Sequence, residues 1–240
     1  MADSNQINLH PSFRILFEDQ HLIVLSKAAG VLSQGDHSGD ASLVDLLREY
    51  FGRHYVGLLH RLDRNTTGLM IVAKRSKSAE RLSEQLQKGE LTRTYHAILM
   101  GDLYTNTVEN SAVRWDHWIL KNETTNEVRI VNSQTPKAKH ASLQVTPIQL
   151  LNAGGMAVTL AKFELETGRS HQIRVQSQAS GHPLIGDTKY GNAKSMALFS
   201  RPALHSSQIE FFHPISREKM AFQERYSADM IACFPALSDD

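Results

Sequence analysis

The chain predicts an α+β fold around a mostly antiparallel sheet. Most of its apolar residues fall in short runs of Val, Ile, Leu, Phe and Thr bounded by turn residues, which is the pattern of strands. Only two stretches show a clear helical period. The best-defined turn, Asn152-Ala153-Gly154-Gly155, joins two β-type runs directly, as antiparallel neighbours are joined.

In chain order, residues 1–12 are polar and without period, and are expected to form a loose arm before one folded domain over 13–240. Arg14–Glu18 and His21–Lys27 read as a hairpin around Asp19-Gln20. After the polar loop 35–39, Leu43, Leu46, Leu47, Tyr50 and Phe51 recur on one helical face. Ser42 and Asp45 stand at capping-box spacing before it, and its aromatic end is expected in the core. A second helix is expected over Ser78–Lys88, with Ala79, Leu82 and Leu86 inward and Glu80, Arg81, Glu84 and Gln85 outward, ended by Gly89. The run Leu91–Gly101 is β-type and puts Arg93, Tyr95 and Ala97 on one face. Residues 102–140 read as irregular strands and loops, a peripheral flap, with short β-type pieces such as Glu127–Val131 and with Trp115 and Trp118 packed on the sheet or stacking on bases. Leu143–Leu150 and Met156–Leu165 are strands about the Asn152 turn.

Composition narrows the function classes. The 240 residues are 41% hydrophobic and 21% charged, ordinary values for a folded domain. No run approaches the roughly 18 apolar residues that a membrane span needs, and the N-terminus lacks the layout of a secretory signal. The single cysteine, Cys233, excludes an internal disulfide framework and a cysteine-rich metal site, so the expected home is the cytoplasm. Net charge is only +1, yet Arg61 with Arg64, Lys74 with Arg75 and Lys77, Lys137 with Lys139 and His140, and Arg169 with His171 and Arg174 form local basic clusters, each read either as a solvated face or as a contact for phosphates. His171, His182, His205 and His213 fit none of the usual zinc spacings, and no metal is expected.

The stretch with the most chemistry is His60-Arg61-Leu62-Asp63-Arg64-Asn65-Thr66-Thr67-Gly68-Leu69. An apolar approach, 56–59, delivers one carboxylate between two arginines into a Thr-Thr-Gly turn, and a β-type run leaves it. By spacing alone Asp63 reads either as a turn residue flanked by solvated arginines or as an acid kept ionised by cations and hydroxyls. In the second case it can be a nucleophile or a base.

This stretch resembles the central motif of the RluA-type RNA pseudouridine synthases, usually His-Arg-Leu-Asp, two variable residues, then Thr-Ser-Gly-Leu; only Thr67 departs, and it keeps the hydroxyl. Thr167-Gly168-Arg169-Ser170-His171-Gln172-Ile173-Arg174 resembles a second signature, Arg93-Thr94-Tyr95 a third, and Gly181–Asp187 and Phe211–Pro214 two shorter ones. The relatives' Lys-Pro-x-Gly is represented by Lys27 and Gly30, with Ala28 in place of the proline. The match spans roughly 15–214 and is closest to short members without an N-terminal accessory domain.

What the resemblance implies is a curved central sheet with a cleft across it, and isomerisation of a uridine to pseudouridine in ribosomal RNA or a tRNA stem-loop. No cofactor, metal or membrane would take part, and the protein is expected to be a monomer. Asp63, Tyr95 and Arg174 would be catalytic: the acid, the ring against the target base, and a guanidinium steadying the acid. Arg61, His60, Thr67, Ile173, Arg93 and Lys27 would bind substrate, with Arg61 filling the gap left by a flipped nucleotide. Asp63 would attack the ribose anomeric carbon, attack carbon 6 of the ring, or remove a sugar proton to give a glycal, and the sequence leaves all three open. Two other readings compete: a catalytically idle RNA-binding or ribosome-assembly factor on the same fold, and a histidine-rich metal hydrolase.

Overall fold

The structure, a computed structural model, describes residues 9–36, 38–52, 55–106, 111–224 and 226–238. Its strands are β1 (Leu9–His10), β2 (Phe13–Glu18), β3 (Leu22–Lys27), β4 (Gly57–Leu58), β5 (Thr67–Ala73), β6 (Thr92–Met100), β7 (Val113–Asn122), β8 (Glu127–Val131), β9 (Lys139–Ala153), β10 (Met156–Leu165), β11 (Leu204–Phe212) and β12 (Lys219–Gln223). The helices are α1 (Leu43–Phe51), α2 (Ser76–Lys88), α3 (Gln172–Ala179), α4 (Ala193–Met196) and α5 (Ala228–Cys233). The α+β class read from the sequence is the one observed. The chain divides into two compact units, Met1–Arg93 with Ser206–Ser227, and Thr94–His205 with Ala228–Asp240.

In the first unit the strand order is β1-β2-β3-β5-β11, with β12 on β11 and β4 on β5. The expected hairpin is present as antiparallel β2 and β3. Its turn is held by Asp19, whose Oδ1 accepts the N–H groups of His21 and Leu22 at 2.7 and 2.8 Å. Leu9 and His10, inside the stretch expected to be a loose arm, pair with β2 across a turn at Pro11 and Ser12; residues 1–8 of that expectation lie outside the described residues. Every residue of β5 is buried, so this strand reads as a continuous apolar run. Its Leu69 and Ile71 meet Leu22, Val24, Leu82, Ile209 and Phe211 in one core.

The two helices of this unit correct two details. Helix α1 has its capping box, Ser42 and Asp45 each bonding the other's backbone. Its aromatic end is not all core, because Tyr50 is 41% exposed and bonds Glu18 through its hydroxyl at 2.9 Å. Helix α2 starts at Ser76 and ends at a left-handed Gly89. Gln85, expected outward, is buried: its amide donates to Phe212 O and accepts Phe212 N–H, both at 2.8 Å, copying a strand neighbour for β11. Arg81 also turns in, onto Pro214 O at 2.6 Å.

The second unit has strand order β6-β10-β9-β7-β8. Residues 113–153, most of which were expected to be irregular strands and loops, form antiparallel strands, among them the expected β-type piece Glu127–Val131. The strands were hard to read because only alternate residues are apolar and buried: Trp115 and Ile119 in β7 stand between exposed Arg114, Asp116 and Trp118. Trp115 packs edge-on against Phe163 at 5.8 Å. The turn after β9 has Gly154 and Gly155 both at positive φ, the backbone of a tight hairpin. Helix α3 lies over Ile119, Val128 and Ala141 through Val175, with Tyr190 beside them.

Candidate active site

Asp63 lies in the loop between β4 and β5 and is half-buried. Its carbonyl accepts Thr66 N–H at 3.0 Å, closing the turn that leads into β5. Arg61 is exposed, whereas Thr66 and Thr67 are buried. Gly68 follows at φ 106°, where a Cβ would fall 2.2 Å from Ser206 O. The glycine of the motif is therefore where β5 comes against β11, and no side chain fits.

The residues around this loop are strongly committed. Lys27 is buried, and its ammonium donates to Ala28 O, Val31 O and Arg64 O at 2.9, 2.8 and 3.0 Å. That is an architectural use of a side chain expected to touch substrate. Arg64 donates to Gly30 O at 3.1 Å and pairs with Asp40. His60 is buried, and its Nε2 accepts Ile71 N–H at 3.2 Å. Burial, and then the charge of Arg93, push its pKa down to about 3, so the ring is neutral. With Nε2 accepting, the proton is on Nδ1, a buried atom with no hydrogen-bond partner among the described residues. Arg93 is 9% exposed, and its Nε likewise finds no acceptor there. A cation so enclosed is costly without an anion beside it.

In the second unit, Tyr95 stands opposite Phe163 of β10 and is 4% exposed. It alternates with buried Arg93 and Ala97 along β6, as its spacing indicated. Arg174 lies on α3 with Ile173, both buried. Its Nε and Nη2 donate to the two carboxylate oxygens of Asp187 at 2.7 and 2.8 Å, the paired geometry that favours arginine over lysine. Burial alone would raise the Asp187 carboxyl, but Arg174 and the N–H groups of Lys189 and Tyr190 hold it below its ordinary value. Tyr190 also lies under the guanidinium, 5.1 Å from ring centre to Cζ.

Helix α3 is anchored by two buried glutamines. Gln172 accepts Thr167 Oγ1 and Arg169 N–H at 2.8 and 3.0 Å and donates to Ser142 O at 3.1 Å, which folds the Thr-Gly-Arg turn onto the helix start. Gln176 donates to Trp115 O and Ala141 O at 3.1 and 3.2 Å. The helix begins at His171 in a left-handed conformation, its Nδ1 2.7 Å from the Tyr190 hydroxyl.

A family model described as RNA pseudouridylate synthase matches residues 21–179, which include both the Asp63 loop and α3. The chain belongs to the RNA pseudouridylate synthase family. As a member it is an isomerase. It is 34% identical to "Uncharacterized RNA pseudouridine synthase YhcT" of Bacillus subtilis over 90% of this chain and 69% of that protein. It is 32% identical to "Ribosomal large subunit pseudouridine synthase D" of Vibrio cholerae over 94% of this chain and 71% of that protein. The fold is that of "Human RNA Pseudouridylate Synthase Domain Containing 1", with a TM-score of 0.71 at 23% identity over 100% of this chain and 98% of that one.

Two parts of this synthase escaped the sequence reading. Asp187 stood in the Gly-Asp motif without a role, because only the folded chain puts it under Arg174. Ser33, a small polar residue in a loop, carried no signal at all, yet it bonds both backbone groups of Leu62. Among the described residues no group of three or more His, Cys, Asp or Glu could hold a metal ion. His182 and His213 instead bond Met100 O and Asp19, at 3.0 and 2.9 Å.

Proposed function

We propose that this synthase converts a uridine in structured RNA, large-subunit ribosomal RNA first among the candidates and a tRNA stem-loop second, with Asp63 as the reacting acid. The observation that carries the reading is the Asp63 loop: a half-exposed carboxylate whose neighbours on both sides are tied down by buried hydrogen bonds. The ribosomal target follows the names of the relatives, and the tRNA stem-loop follows the family resemblance alone. The working unit is one chain acting on cytoplasmic RNA.

The reaction breaks the bond from uracil nitrogen 1 to the ribose, turns the ring and joins carbon 5 to the sugar. A base stacked inside RNA must first leave the stack, at a cost of a few kcal/mol. Exposed Arg61 is suited to fill the vacated place. Tyr95 is assigned as the ring against which the base rests, a contact worth about 1–3 kcal/mol in such settings. The substrate roles of Thr67, Ile173 and Arg174 follow the family resemblance, and Asp187 fixes the plane of the Arg174 guanidinium. The enclosed guanidinium of Arg93, beside neutral His60, is suited to an RNA phosphate. Arg93→Met should then flatten the slope of log affinity against log salt by about one unit. An unchanged slope would remove Arg93 from the RNA contacts.

Asp63→Asn keeps the shape and loses the charge. It should bind RNA within about twofold of the native protein and release no tritium from uridine labelled at carbon 5. Retained release would end the assignment of Asp63.

A further inference from the structure

If Asp63 is the reacting acid, its aim is set by the backbone on either side of it, and a single loop holds both sides. We propose that Ser33, with Lys27, is a positioning clamp for Asp63. Ser33 is 4% exposed. Its Oγ donates to Leu62 O at 2.7 Å and accepts Leu62 N–H at 3.1 Å, so one hydroxyl ties both polar groups of the residue before the acid. On the other side, Lys27 Nζ takes Arg64 O at 3.0 Å while also gripping Ala28 O and Val31 O of its own loop. The Asp63 carbonyl is taken by Thr66 N–H at 3.0 Å. The backbone from 62 to 64 is thus held at Leu62 N–H and at all three carbonyls, although it belongs to neither strand nor helix.

The loop that does the holding is itself anchored. Ala28 N–H donates to Ser12 O at 2.9 Å, and Leu32 O accepts Leu43 N–H at the start of α1 at 2.7 Å. The Arg64 side chain returns to Gly30 O at 3.1 Å, closing the same loop from the other direction. Neither Ser33 nor the Lys27 ammonium is free to meet a nucleotide, so both act through the carboxylate they aim. Displacement of a reacting group by about 1 Å costs on the order of 100-fold in rate.

The test uses the full chain and an in vitro transcribed large-subunit ribosomal RNA tritiated at uridine carbon 5. Ser33→Ala should slow single-turnover release about 10- to 100-fold with RNA affinity within twofold, and Ser33→Thr, which keeps the hydroxyl, should recover most of the rate. Gln85→Ala serves as the control for lost stability, since it too breaks two buried hydrogen bonds but touches nothing in this loop. A Ser33→Ala rate equal to that of Gln85→Ala overturns the clamp. Amide exchange at Leu62 and Thr66 separates the clamp from the function it serves. If the native protein makes no product, the synthase reading of the site fails, and unchanged exchange in Ser33→Ala still overturns the clamp on its own.

Discussion

The Arg174 guanidinium and the Asp187 carboxylate are both buried, and either would be costly there alone. Their two parallel hydrogen bonds fix the plane of the guanidinium, which a lysine could not do with a single point charge. Asp187→Asn should therefore destabilise the protein by about 3 kcal/mol and slow product formation, because the guanidinium loses the charge that orients it. Urea unfolding and single-turnover assays read the two effects, and an Asn variant with native stability would show that the pair is dispensable. Arg174 was legible in its His-Gln-Ile-Arg setting. Asp187 was not, since its partner stands 13 positions earlier and only the turn after α3 brings the two together.

At the scale of elements, β5 links the chemistry to the core. Its first residues belong to the motif, its middle is apolar on both faces, and Gly68 lets it approach β11. Gly68→Ala would put a methyl carbon 2.2 Å from Ser206 O and force a positive φ on alanine. The expected result is a loss of more than about 4 kcal/mol or no folded protein at all, read by circular dichroism and denaturant titration. An alanine variant that unfolds at the native midpoint would contradict the close approach. Helix α1 was readable to its cap because Ser42, Asp45 and the apolar face are local signals. The inward turn of Gln85 was not, because its polar amide is useful only against the backbone of Phe212, which is distant in sequence.

At the scale of the whole molecule, wholly or partly buried histidines make stability depend on pH, His60 and His96 most strongly and His117 in the same direction. Burial, with nearby cationic charge, lowers His60 to about 3 and His96 to about 4, from an ordinary 6.5. Below pH 6.5 the unfolded chain takes up a proton at each and the folded chain does not, so stability is full above that pH and falls as pH drops towards 4. The slope approaches roughly 1.4 kcal/mol per pH unit for each group. Asp187 titrates below its ordinary 3.8 and leaves this window untouched. His60→Gln should lose less stability between pH 7 and pH 5 than the native protein does. Equal losses by denaturant midpoint would mean that His60 is accessible to protons in the folded state.

The sequence by itself determined the family, the α+β class, the Asp63 turn between strands and the capping of α1. Each of these is written in neighbouring residues, as a motif, a period or a cap. Tertiary structure decided the partners: Asp187 for Arg174, three carbonyls for the Lys27 ammonium, Leu62 for Ser33, and a regular sheet where, outside 127–131, polar residues 113–140 had looked loose. A buried polar group needs a partner wherever the fold supplies one, and that choice depends on which distant backbone comes within about 3 Å, a distance no local pattern encodes.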